Sequence, residues 1–504
     1  MENNNKQIAK NTFFLYLRML FVTVVGLYTS RIVLDTLGVE NYGIYTLVGG
    51  IVVFFSFINN SLLTSTQRFI SYELGKENPN IKPIFSECFR LHAILSLIIL
   101  LLAETIGLWV VNCVLNIPES KMAAANWVYQ FSVFCTILSI LRCPLNAVLI
   151  AYERMSLYAY IGVLETALKL IVAYCIVIIP NDKLFSYALL TFISTLIVFI
   201  INAIYTLKKV PEIGFVKSEA KHSKNILGFT KWTIFGSIAN VGIEQGLNLL
   251  INFFYGITVN AAIGIANQVN THISAFVNNF QVAFNPQLTK NEASKNRSRQ
   301  YSLIFKSAKF SYFIMLFLAA PIILNLDYLL KIWLVNYPPE TTNICIFIII
   351  GVLIETLSGP LWVSIFATGK IKRYQIVISL ILLLNIPVSL VLGKMGLPPY
   401  AIYAARASIY ILAISCRLTF LRKLINLNIY EFIRKVIYPT LAVSAIIVTL
   451  IVLKYMYISN TTFTSFVIES LLLVFVEIVV IGAIGLNSNE RKFIFNIIKS
   501  KLKR

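Results

Sequence analysis

The chain has 504 residues, of which 58% are hydrophobic and only 13% charged, with a formal net charge of +21 at pH 7. A soluble protein of this length would carry about 25% charged residues, so a soluble globular domain is excluded. The positive excess suits an anionic inner leaflet, and no nucleic-acid partner is needed to explain it.

The apolar residues fall in blocks long enough to cross a bilayer. Spans are predicted at about 12–33, 42–63, 91–115, 122–150, 158–180, 184–207, 227–255, 257–286, 303–330, 341–368, 374–393, 399–421, 434–456 and 463–486. The fold class is therefore all-α integral membrane, with about fourteen transmembrane helices and short connections. The opening MENNNKQIAKN is polar and leads into a full-length apolar stretch with no small-residue cleavage site. It reads as an uncleaved first span.

Orientation follows from the basic residues. With the N-terminus inside, roughly 29 Lys/Arg are cytoplasmic against about 4 outside, namely Lys121, Lys183, Lys331 and Lys394. An even span count then leaves both termini in the cytoplasm. The final NERKFIFNIIKSKLKR sets Phe493, Ile494, Ile497, Ile498 and Leu502 at helical spacing opposite basic residues, a pattern for lying on the membrane surface. The seven cysteines are scattered without CxxC or ligand spacing. Neither a disulfide framework, a metal site nor a cofactor is expected.

The chain also resembles itself at a spacing of about 216–219 residues. SFINNSLLTSTQ from Ser56 lies over AFVNNFQVAFNP from Ala275, which brings Asn59 and Asn60 onto Asn278 and Asn279. LGVENYGIY from Leu37 meets YGITVNAAIGIAN from Tyr255, matching Gly38 with Gly256. CPLNAVLIAYERMSLY from Cys143 lies over GPLWVSIFATGKIKRY from Gly359, pairing Pro144 with Pro360 and Tyr158 with Tyr374. An offset of six spans keeps orientation, so two parallel six-helix lobes are expected, with substrate held between them as in alternating-access transporters. The division reads 1–207 for the first lobe, 208–226 for a cytoplasmic linker and 227–421 for the second lobe. Two further helices at 422–486 and a basic tail at 487–504 complete it. The two prolines sit mid-span and are expected to kink both helices.

Ionisable side chains inside spans mark wet cavities or partners. Arg18, Arg31, Arg142 and Lys231 are candidate cations for a headgroup cavity, with Asn59, Asn60, Asn248, Asn278 and Asn279 as hydrogen-bonding amides. Glu244 and Glu355 are candidates for an ion-coupling site or for pairing with the cations. Blander readings stand beside these. Glu165 and Lys169, four apart, would neutralise each other, and Arg31, Lys231 and Arg406 near span ends would snorkel. The amide-rich seventh and eighth spans either glue helices together or line an aqueous cavity. Arginine forks suit phosphate oxygens and amides suit hydroxyls, so the pattern fits an anionic, polyhydroxylated ligand.

The run NTFFLYLRMLFVTVVGLYTSRIVLDTLGVENYGIYTLVGGI, followed by TSTQRFISYELGKEN, resembles polysaccharide-export flippases. These are Wzx-like O-antigen translocases of the multidrug/oligosaccharidyl-lipid/polysaccharide (MOP) exporter superfamily. The resemblance implies a MATE-like fold in the bacterial inner membrane. It implies a flippase for undecaprenyl-pyrophosphate-linked oligosaccharide, an O-antigen or capsule unit, moved from the cytoplasmic to the periplasmic leaflet. It also implies a cationic cavity for the headgroup, H+ or Na+ as coupling ion, and polysaccharide-assembly proteins as partners beside the membrane lipids. Arg18 and Arg31 fall where related flippases tend to carry basic residues.

Two other readings compete. A cation-coupled multidrug exporter of the same fold usually has twelve spans and an acidic cavity. A membrane enzyme such as a polymerase or glycosyltransferase needs a large external loop or a catalytic motif, and there is no P-loop, HExxH or nucleotide-sugar carboxylate motif. No enzyme activity is expected.

Overall fold

The computed structural model describes residues 2–492, apart from 54–55, 115–116, 181, 217–219, 335–336, 458–461 and 489. The apolar face expected over Phe493–Leu502 lies outside the described residues. The helices are α1 (Glu2–Val53), α2 (Ser56–Leu74), α3 (Ile81–Leu102), α4 (Glu119–Ala151), α5 (Met155–Ile178), α6 (Lys183–Lys209) and α7 (Ala220–Ala293). There follow α8 (Arg297–Leu324), α9 (Leu326–Leu334), α10 (Thr341–Thr356), α11 (Gly359–Ala367), α12 (Lys372–Leu383), α13 (Asn385–Lys394) and α14 (Tyr400–Ile425). The last are α15 (Ile429–Phe432), α16 (Tyr438–Tyr457) and α17 (Phe463–Val480), with wider π turns at Ala103–Gly107, Val110–Val114, Ile433–Ile437 and Ile481–Gly485.

Among the described residues, twelve stretches are long and apolar enough to cross a membrane, from Asn11–Gly38 to Phe463–Gly485. The protein is a multi-pass membrane protein. Most span bounds fall within a few residues of expectation. The stretch expected at 303–330 runs from Arg297 to Leu324, because Asn296 caps it six residues early, its side chain accepting from the Arg299 N–H at 3.3 Å. Leu471, Leu472, Phe475 and Ile478 on α17 point outward, as apolar residues do when the solvent is lipid.

The stretch expected at 257–286 is helical but more polar and is not among the twelve, and the one expected at 42–63 includes residues 54–55, which lie outside the described residues. Each follows a break at a glycine. Gly38 interrupts α1 with φ 75° and ψ 165°, and Gly256 interrupts α7 with φ 79° and ψ −177°. This extended, positive-φ region is open essentially to glycine alone. The two glycines paired by the sequence repeat thus make the same turn.

Two compact units make up the chain. The first runs up to Ile238 and adds Val282–Lys295; the second is Ala239–Gln281 with everything from Asn296 on. In the first, α1 packs along α5, and α4 lies against α2 and α6. The end of α7 belongs here because Gln287 and Lys290 donate to the two carboxylate oxygens of Glu153, at 2.9 and 2.8 Å. In the second, α10 packs on α14, while α16 and α17 pack on α8. A buried Lys309–Glu490 pair at 2.6 Å holds the chain's end to α8.

The paired prolines behave differently. Helix α4 is continuous through Pro144. At Pro360 the span breaks between α10 and α11. Proline at 360 leaves the Thr356 carbonyl without its helical donor, and the Gln281 amide fills the role, its Nε2 donating to Thr356 O at 3.2 Å. Gly359 makes room, since a Cβ there would collide with that same amide. At the places the repeat pairs with these, Leu62 and Cys143 simply pack together in an apolar cluster. The span is thus interrupted at Pro360 and uninterrupted at Pro144.

Candidate functional site

In the first unit one face of α5 gathers the charges. Tyr158, Gly162, Glu165 and Lys169 recur at helical spacing and lie on one side of the helix. From α1, the Arg18 guanidinium sits over the Tyr158 ring, 4.5 Å from its centroid, and presses against Gly162, where a Cβ would meet Arg18 Cδ at 2.9 Å. From α4, Arg142 Nη1 donates to Glu165 Oε2 at 2.9 Å, and Lys169 Nζ donates to Oε1 at 2.9 Å. Glu165 and Lys169 therefore do pair, but with a third partner that expectation lacked.

Asn59 joins this cluster through α4. Its Nδ2 donates to Ser139 Oγ at 3.3 Å, one turn from Arg142, and its backbone carbonyl accepts from the Cys143 thiol at 3.5 Å. Asn59 Oδ1, Arg18 Nε and Arg142 Nε are buried without a hydrogen-bond partner in the described structure. Buried polar atoms of this kind are uncommon in native proteins and point to water or a ligand. Arg18 forms no ion pair among the described residues. Arg142 and Lys169 thus share one carboxylate, and Arg18 reaches the same face of α5 from α1.

The other candidates of this unit stand apart. Arg31 is exposed and lies 4.0 Å from Asp35, one turn along α1. Lys231 is exposed, its Nζ 5.9 Å from the Trp232 ring centroid. Asn60 is also exposed. Among the described residues no side-chain hydrogen bond or ion pair joins these three to Arg18 or Arg142.

In the second unit every candidate acid has its own arginine. Arg406 Nη1 donates to Glu244 Oε2 at 3.2 Å and Nη2 contacts Oε1, while Arg406 Nε donates to Tyr410 OH at 2.8 Å. The expected snorkelling of Arg406 gives way to this pairing, because the rotation of α14 turns it toward α7. Arg417 Nη1 donates to both oxygens of Glu355, at 3.0 and 3.1 Å, and its Nε donates to Tyr374 OH at 3.1 Å. Glu244 and Glu355 are thus each ion-paired, with Arg406 and Arg417 respectively.

Asn279 Nδ2 turns back on its own helix to Ala275 O at 2.8 Å, and Asn278 is exposed. Asn248 is half-buried. The amide row does both things expected of it: Gln281 ties helices together, whereas Asn267 and Asn270 line a cavity of about 240 Å³ with Glu244 and Arg406. Arg417 is the functional residue the sequence reading lacks; the Tyr158–Tyr374 match is the available signal, since each tyrosine carries an arginine.

No protein-family model matches the chain, and no curated protein matches it. Solved structures do. A multidrug resistance MATE family transporter of the MOP superfamily, in an outward-facing conformation, is similar with a TM-score of 0.74 at 12% identity. The likeness covers 84% of this chain and 97% of that one. A MOP superfamily transporter from Pyrococcus furiosus, described as having a binding pocket of reverse polarity that suggests a different function, has a TM-score of 0.69 at 12% identity, covering 82% and 96%. A MATE in complex with MaD3S has a TM-score of 0.70 at 13% identity, covering 83% and 96%. The chain has the fold of the MATE transporters of the MOP superfamily.

Proposed function

We propose that the protein is an alternating-access flippase that moves an undecaprenyl-pyrophosphate-linked oligosaccharide from the cytoplasmic to the periplasmic leaflet of a bacterial inner membrane. The observation that carries this reading is the cation excess on α1, α4 and α5. Arg142 keeps a buried guanidinium N–H unbonded beside the carboxylate it shares with Lys169, and Arg18 keeps one on the same face of α5 with no ion pair among the described residues. A pyrophosphate offers the oxygens and the negative charge that such forks bind. Asn59, with its own unbonded carbonyl, extends the cluster toward hydroxyl donors.

In this reading the stretches that follow Gly38 and Gly256 are also spans, making fourteen. Residues 1–207 and 227–421 form two six-helix lobes joined by the linker 208–226, with 422–486 as an added pair and 487–504 as a surface tail. Both termini are cytoplasmic, and H+ or Na+ supplies the drive. Assembly proteins of the polysaccharide pathway would take the cargo, and no catalytic step is involved.

The second reading is a cation-coupled multidrug exporter, favoured by what the structures of the same fold are named for. The unbalanced arginines favour an anionic cargo over a cationic drug. Deleting the gene separates the two. The flippase reading expects lipid-linked oligosaccharide to accumulate on the cytoplasmic face; a change in drug sensitivity alone would overturn it.

A further inference from the structure

The second unit holds a cavity of about 240 Å³ whose walls come from the first half of α7, from α7 beyond Gly256, from α10 and from α14. We propose that it is a carbohydrate subsite for a neutral, hydroxyl-rich sugar unit. The inference rests on the flippase reading and deepens it, assigning the sugar end of the cargo a place distinct from the Arg18 cluster.

The charge at the cavity sums to zero. Arg406 contacts both oxygens of Glu244 and is fixed from the other side by the Tyr410 hydroxyl at 2.8 Å. The Tyr410 ring packs against Gly351 on α10. A metal cation or an ammonium would have to displace a held guanidinium, and a phosphate would face a carboxylate. Neither ion suits the site. A neutral ligand loses nothing to either charge.

What the cavity offers is hydrogen-bonding capacity without net charge. An ionised carboxylate has about four acceptor positions, and Arg406 uses two of those on Glu244, whose side chain is 47% exposed. Asn270 Oδ1 accepts from Ser274 at 2.9 Å, which leaves its amide hydrogens for a ligand. Thr271 donates its hydroxyl to Asn267 O at 2.7 Å and keeps its lone pairs. Asn267 is exposed, and its side-chain amide has no hydrogen bond in the described structure. Sugar hydroxyls both donate and accept, as this mixture requires.

Phe347, Ile348 and Tyr403 add apolar surface to the lining. Aromatic faces beside a few placed polar groups are the general pattern of small-ligand sites, and they suit the C–H face of a sugar ring. The volume lies below the roughly 300–1,000 Å³ of drug-sized pockets, on the scale of one ring. The arrangement also explains the composition of α7. Exposed Asn267 and Thr271 on a membrane-embedded helix are costly against lipid and useful against a polar cargo.

The test is saturation-transfer NMR on the full-length protein in detergent, with lactose, cellobiose and chitobiose as probes. Wild type is expected to give transfer to at least one of them. Asn267→Leu, which leaves the ion pair intact, is expected to weaken it by about fivefold, the worth of one hydrogen bond. The paired substitution Glu244→Gln with Arg406→Gln, which strands no charge, is expected to abolish it. Inorganic pyrophosphate should not compete. Absence of transfer for all three sugars, equal transfer in the variants, or displacement of sugar by sodium ions would each overturn the subsite. Loss of the subsite with lipid-linked oligosaccharide still accumulating on gene deletion leaves the flippase reading standing. The reverse combination sinks that reading alone.

Discussion

In the second unit each membrane-embedded arginine has a glutamate of its own, Arg406 with Glu244 and Arg417 with Glu355. In the first unit Arg142 shares Glu165 with Lys169, and Arg18 has only a tyrosine face and a glycine. The difference separates two uses of the same residue. A matched pair is neutral and ties helices together, so its arginine is spent on structure. An unmatched guanidinium inside a span is expensive, and it is retained where something anionic comes to meet it. The fold is shared by transporters of several descriptions, so the placement of surplus charge, and not the fold, carries the argument about cargo.

The sharpest way to break the comparison is to strand a charge in the second unit. Arg417→Leu leaves Glu355 unpaired and is expected to cost about 3 kcal/mol, the low end for a broken buried pair because that carboxylate is 32% exposed. Adding Glu355→Leu should return most of it. Urea unfolding of the purified protein in detergent reads both; a single variant as stable as wild type would show that the pair is not structural. Next in size is Gly359→Ala, which drives a Cβ into the Gln281 amide and should cost about 1–3 kcal/mol. Gln281→Leu removes the donor from the Thr356 carbonyl and should cost about 1–2 kcal/mol in the same assay. The smallest effect belongs to the first unit. Lys169→Met leaves Glu165 with Arg142, and with Lys169 at 51% exposure the change should stay within about 0.5 kcal/mol.

Much of this was legible in the sequence because span length, charge bias and repeat spacing are one-dimensional. Most of the twelve spans fall within a few residues of the expected bounds, and the repeat pairs Gly38 with Gly256, the two glycines that interrupt helices. The pairing of arginines was not legible. Arg406 and Arg417 lie on one helix near the level of span ends, where a cation reads as topogenic or snorkelling. Only the rotation of α14 against its neighbours decides that they meet Glu244 and Glu355, and hydropathy carries no information on rotation. The same holds for Pro360. Its break depends on Gln281 and Gly359 together, while Pro144, with Leu62 and Cys143 in those places, stays inside a continuous helix. Arg18 and Arg142 were legible as residues that lipid would not tolerate, but Gly162 as the seat of Arg18 was not.

The central claim is that Arg18 is held free to bind the cargo. The direct measurement is Arg18→Ala in cells, with membrane levels of the protein and the leaflet position of lipid-linked oligosaccharide read together. The substitution strands no carboxylate, so the protein should remain in the membrane at normal level while the glycan lipid accumulates on the cytoplasmic face. Normal surface glycan from that variant would contradict the account.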